Sequence, residues 1–145
     1  MKIGIYNQKS EYLPYDEIRQ AFEAFLFTQD EYVGIGNCNR RTVEKYAVVH
    51  IRMLKESGTF VWDVPESKIP IEFMDAILST IKNIINIPKG LAPFSSFNFS
   101  YQIIDGSWSP TDSSTKTFEI ATFMAIADII GFDHEMIQVY KRARS

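Results

Sequence analysis

The chain has 145 residues, 46% hydrophobic and 23% charged, ordinary proportions for a folded domain and enough length for one core. A net charge of −3 excludes a global basic field for nucleic acid, and no apolar run approaches the roughly 20 residues of a membrane-spanning helix. The single cysteine, Cys38, excludes an internal disulfide; with Met1–Tyr6 too short for a signal peptide, the expected location is cytoplasmic.

In chain order, residues 2–6 read as a short strand. Pro14 then precedes a helical pattern from Tyr15 to about Thr28, with Ile18, Ala21, Phe22, Phe25 and Gln29 along one side and Asp16 and Glu17 in the first turn. Residues 1–31 hold three basic and six acidic side chains, so the remaining residues, 32–145, are balanced at 12 against 12. Tyr32–Cys38 reads as a strand weakened by Gly34 and Gly36, and Asn39–Thr42 as a polar loop. Tyr46–Leu54 is the clearest early strand: Val49, Ile51 and Met53 alternate with Val48, His50 and Arg52. Lys55–Gly58 is a turn, and Thr59–Val64 a further strand, expected to form a hairpin with its predecessor.

Pro70 opens a helix that runs to about Ile85, with Phe73, Ala76, Ile77, Thr80, Ile81 and Ile84 inward. Pro88, Gly90 and Pro93 break it. Phe97, Phe99, Tyr101 and Ile103 alternate with polar residues as a strand. Asp105-Gly106 reads as the start of an exposed turn, since glycine is free to take positive φ. Trp108 is expected to project from that turn, and Asp112, Ser113 and Ser114 offer oxygens to the helix that follows, with Asp112 the expected cap. Phe118, Ala121, Thr122, Ala125 and Ile129 form its stripe; small Ala121 and Ala125 let it lie close to a sheet. Gly131 ends it, and His134–Arg144 reads as a final helix. The pattern is α+β: an open sheet with helices mainly on one face.

Asp105-Gly106-Ser107-Trp108, then Asp112-Ser113-Ser114 and a helix with Phe118-x-Ile120-Ala121, resembles the fourth domain of the translation elongation factor G and elongation factor 2 family. That domain typically reads Asp-Gly-Ser-Tyr-His-x-Val-Asp-Ser-Ser. Ile69-Pro70-Ile71-Glu72-Phe73 is similar to the family's Ile-Pro-Lys-Glu-Phe, and Leu91-Ala92-Pro93-Phe94 to its Leu-Ala-Gly-Tyr. Lys45–Met53 is similar to its Gln-Tyr-Gly-His-Val-Val-Ile-Asp-Met. The matches are collinear from about Lys45 to Ile130. The resemblance implies the ribosomal protein S5 domain 2-like fold: a four-stranded mixed sheet backed by helices, with a left-handed β-α-β crossover. It also implies a division into an N-terminal extension (1–31), a domain-IV-like core (32–131) and a C-terminal helix (132–145) within one domain. The family's GTPase motor is a separate domain with no counterpart in these residues.

In the family, two loops at one end of the domain reach into the ribosomal decoding site and contact messenger and transfer RNA. They correspond to Asn37–Lys45 and Ser107–Thr111. The expected RNA-binding residues are therefore Arg40, Arg41, Lys45, Trp108 and Ser109, combining phosphate contacts with an aromatic face for a base. Ser109 stands where the family has a histidine, the first loop lacks the family's glycines, and Thr80 stands at a frequent family glycine. His50 and His134 show no metal-ligand spacing, Asp105, Asp112 and Glu119 are explained by turn, cap and first-turn roles, and Cys38 beside Arg40 and Arg41 lacks an evident base. The expectation is a stand-alone, non-catalytic domain without cofactor, nucleotide or membrane partner, binding the ribosome or structured RNA. The alternative is a protein-interaction or regulatory module on the same fold, including a homo-oligomer.

Overall fold

The computed structural model describes residues 13–40, 45–55, 59–85 and 99–133, with Arg40 described by its backbone only. The elements are α1 (Tyr15–Ala24), β1 (Glu31–Arg40), β2 (Lys45–Lys55), β3 (Phe60–Trp62), α2 (Met74–Ile85, entered through a 3-10 turn at Ile71–Phe73), β4 (Phe99–Ser107) and α3 (Thr115–Ile130). The strands form one mixed sheet in the order β1-β2-β4-β3, the expected α+β arrangement. β2 pairs antiparallel with β1 and with β4, whereas β3 lies parallel to β4.

Alternation decides which face is covered. Ala47, Val49, Ile51 and Met53 of β2, Phe99, Tyr101 and Ile103 of β4, and Cys38 of β1 are buried beneath the helices. On the opposite face Val33 and Ile35 remain 49% and 46% exposed. The two glycines of β1 have a packing cause. A methyl group on Gly36 would overlap the Ala121 carbonyl, and one on Gly34 the Ala125 carbonyl, so strand and helix meet backbone to backbone. Small residues on both sides of this seam are what permit it, as the stripe on α3 implied.

α3 is buried almost all round, from Ile120 to Ala127 without a break. The sheet takes one side; α1 and α2 take the other. Ile18 and Phe22 fix α1 there, both fully buried. The Tyr15 hydroxyl donates to Glu119 Oε2 at 2.6 Å, its ring meets Phe123 edge-on at 5.3 Å, and Arg19 Nε donates to the Asn83 carbonyl at 2.6 Å. Burial first, then the Glu119 carboxylate, push the Tyr15 hydroxyl above its ordinary pKa.

Several expectations are corrected. β2 and β3 form no hairpin: β1 and β4 occupy both edges of β2, and short β3 joins the outer edge of β4, with Tyr101 N–H donating to the Thr59 carbonyl at 2.8 Å. α1 ends at Ala24 rather than near Thr28. Phe25 is extended (φ −70, ψ 134), which turns the chain so that Phe25 and Phe27 pack on Tyr32. Asp105-Gly106 is not a turn. It continues β4 past a register shift that leaves Ile104 without a partner, since His50 faces Asp105 and Ile51 faces Ile103. Gly106 is required there because a side chain would strike the Val48 carbonyl as well as the Ile69 side chain. Positive φ appears instead at Gly131 (φ 67), which ends α3 as expected. The strand expected at 2–6, the breakers Pro88, Gly90 and Pro93, the Leu91–Phe94 match and the helix expected at 134–144 lie outside the described residues.

Candidate nucleic-acid interface

The chain between β4 and α3 is folded against the start of β2. Tyr46 N–H donates to the Asp112 carbonyl at 3.1 Å, and the Ser113 hydroxyl donates to the Tyr46 carbonyl at 2.6 Å. The Tyr46 hydroxyl donates to Ser107 Oγ at 2.9 Å. One residue at the head of a strand thus holds three points of a turn more than sixty residues away. Within the turn, Ser109 N–H donates to Ser113 Oγ at 2.8 Å, and Ser113 N–H returns a bond to the Ser109 carbonyl at 3.0 Å. The Ser109 hydroxyl accepts from Asp112 N–H at 3.3 Å.

Capping belongs to Ser114, not to Asp112. Ser114 Oγ accepts from Thr117 N–H at 3.2 Å, and Ser114 N–H donates to Thr117 Oγ1 at 2.8 Å, a reciprocal capping box. Asp112 is spent elsewhere: its backbone faces Tyr46 and its carboxylate accepts from the Thr111 hydroxyl at 3.2 Å. The Asp-Ser-Ser run offers three oxygens, and only the register of the helix decides which one caps.

Trp108 does not stand free of the turn. Its ring is half-buried and packs on Phe73 with centroids 6.1 Å apart, and Phe73 is stacked on Phe118 at 4.6 Å. The indole therefore continues an aromatic column that starts under α3 and leaves one part of the ring at the surface. Arg40 and Lys45 face one another across the last pair of the β1–β2 ladder, at the end of the sheet where Tyr46 holds the turn. Of the five residues singled out, Lys45, Trp108 and Ser109 are described in full, Arg40 by its backbone, and Arg41 lies outside the described residues. Ser109 is half-buried, with its hydroxyl engaged inside the turn.

Tyr46 and Phe73 were not singled out as site residues, although Tyr46 positions the turn and Phe73 supports Trp108. No local pattern reveals either, because their partners are distant in sequence. On the uncovered face, Asp105 meets Lys68 at 3.2 Å. The Gly106 N–H, then the Lys68 ammonium, hold the Asp105 carboxyl below its usual range. Glu119 bonds Tyr15 on the helical side, so Asp105, Asp112 and Glu119 form no acidic group. Among the described residues no cluster of three His, Cys, Asp or Glu side chains could hold a metal ion, and the Cys38 thiol is buried. Among the described residues the site combines the half-buried Trp108 ring with Lys45 at the end of the β1–β2 ladder.

No family model and no curated protein match this chain. Among solved structures, it is similar to a protein from Thermus thermophilus designated ttk003000868, a label that says nothing of activity. The two share 26% identity with a TM-score of 0.60; the match covers 73% of this chain but only 16% of that protein. The α+β unit described above thus corresponds to one small part of a much longer chain.

Proposed function

We propose that this chain is a non-catalytic domain of the elongation-factor-G domain-IV type, and that it binds the ribosome or another structured RNA through residues 40–45 and 107–111. The observation that supports this reading is Tyr46, whose bonds to Ser107, Asp112 and Ser113 bring the start of β2 against the chain that carries Trp108 and Ser109. Arg40, Arg41 and Lys45 would contact phosphates, the exposed part of Trp108 would stack on a base, and Ser109 would set the shape of the turn rather than offer a free hydroxyl.

Co-sedimentation with ribosomes over a range of salt tests it. Binding that weakens with salt is expected, with Arg40→Ala and Arg41→Ala each flattening the slope by about one unit or less. No co-sedimentation at micromolar protein and low salt overturns it. The alternative, a protein-interaction module on the same fold, draws on the exposure of Val33 and Ile35. A stable protein complex that survives Arg40→Ala and Arg41→Ala, without ribosome binding, would favour it.

A further inference from the structure

Among the described residues the sheet has two edges, and they are unlike. β3 is three residues long; β1 runs for ten. A long edge with exposed apolar side chains is a template for strand addition, and folded proteins generally block such edges. β1 carries Val33 and Ile35 on its uncovered face, 49% and 46% exposed.

The hydrogen-bond alternation shows which amides of β1 face outward. Lys55 N–H donates to the Asp30 carbonyl at 2.9 Å, so even-numbered residues turn toward β2 and odd-numbered ones turn away. Ile35 agrees: its N–H points off the sheet and donates to Asp128 Oδ2 on α3 at 3.0 Å. Asp128 is the single exposed residue between Thr117 and Ile130 on a helix otherwise buried or half-buried over that span. An aspartate is short, and it reaches the edge because Gly34 and Gly36 let α3 lie against the backbone of β1.

We infer that Asp128 guards the β1 edge: its carboxylate occupies the central outward donor and prevents β1 from pairing with the β1 strand of a second copy. Self-pairing is the addition this strand fits. An antiparallel pair centred on Gly34 joins outward-facing odd residues to one another and sets Val33 opposite Ile35 twice on the same face, by two-fold symmetry. A carboxylate lodged in the middle of that ladder is incompatible with it, both by filling the donor and by placing a charge in the new seam.

The test uses the full chain, read by light scattering after size exclusion and by amide exchange. Wild type should be monomeric through the micromolar range, and Ile35 N–H should exchange slowly for an outward-facing amide. Asp128→Ala should dimerise in that range and Asp128→Asn, which keeps an acceptor, should do so less. Adding Val33→Lys to Asp128→Ala should restore the monomer by charging the edge. If Asp128→Ala proves too poorly folded, exchange in Asp128→Asn serves: the Ile35 amide should exchange about tenfold faster than in wild type. The inference is overturned by a monomeric, folded Asp128→Ala, by a dimer that Val33→Lys leaves intact, by a wild type already paired through β1, or by Ile35 exchange unchanged in Asp128→Asn.

Discussion

The seam between β1 and α3 and the turn between β4 and α3 both bring main chain close to main chain, by opposite means. At the seam, side chains are removed: Gly34 and Gly36 face the carbonyls of Ala125 and Ala121 with no space for a methyl group. At the turn, side chains are added: Ser109, Ser113 and Tyr46 bridge the segments with hydrogen bonds between 2.6 and 3.3 Å. A steric fit has no graded failure, because any added atom must displace backbone. A hydrogen-bonded fit fails in portions, since each bond contributes about 1 kcal/mol and water can replace some of them. The seam should therefore be rigid to substitution, and the turn open to variation in its outer residues.

The largest effect should come from Gly36→Ala, which forces the Ala121 carbonyl away and should cost about 3 kcal/mol or more, the upper part of the overpacking range. Ala121→Leu, on the other side of the same contact, should cost about 1–3 kcal/mol. Denaturant melts measure both; a Gly36→Ala protein as stable as wild type would break the contrast.

Trp108→Ala comes next. Half a ring is removed from the Phe73–Phe118 column, and at about 25 cal/mol per Å2 of apolar surface the loss should be about 1–2 kcal/mol. A melt unchanged by this substitution would mean that the indole rests on the column without support from it.

Within the turn, Ser114→Ala should cost about 1 kcal/mol by removing the cap, while Asp112→Ala should stay within about 0.5 kcal/mol. The reverse order in paired melts would return the cap to Asp112 and shift the start of α3.

The smallest effect concerns pH. The Asp105 carboxyl is held below its ordinary value by Gly106 N–H and Lys68, so its contribution is present above the unfolded carboxylate pKa, about 3.9, and is lost as pH falls through the lower folded value. The group is well exposed, so the effect is small. Asp105→Asn should lower stability slightly at neutral pH and converge on wild type at low pH, flattening the acid limb; an unaltered acid limb would show that the pair with Lys68 carries no stability.

How much of this was legible in the sequence differs from element to element. The alternation through Val49, Ile51 and Met53 and the stripe through Ala121 and Ala125 were readable because burial imposes a period on one segment at a time. The pairing of β3 was not, since a hairpin and a parallel crossover ask the same local pattern of Phe60–Trp62, and only competition for the edge of β2 decides between them. Asp105-Gly106 has turn composition, yet the need at Gly106 is space beside Ile69 rather than positive φ. At the candidate site, the two segments could be named from the resemblance, but Tyr46 as the residue joining them and Phe73 as the floor under Trp108 depend on contacts that no spacing encodes.

The wrapping of α3 on every side has a consequence for how the protein is made. α1 leaves the site of synthesis early, with Ile18 and Phe22 destined for a helix not yet translated. Its Tyr15 must wait for Glu119, 104 residues later. Until then the apolar side of an amphipathic helix lacks its surface, and the parallel β3–β4 pair adds a second delay. Contacts so distant in sequence fold slowly and prolong the exposure of sticky intermediates. A slow run of translation placed after α1 should therefore leave the yield of folded protein no higher, since the surface that α1 packs on is not made until α3 follows.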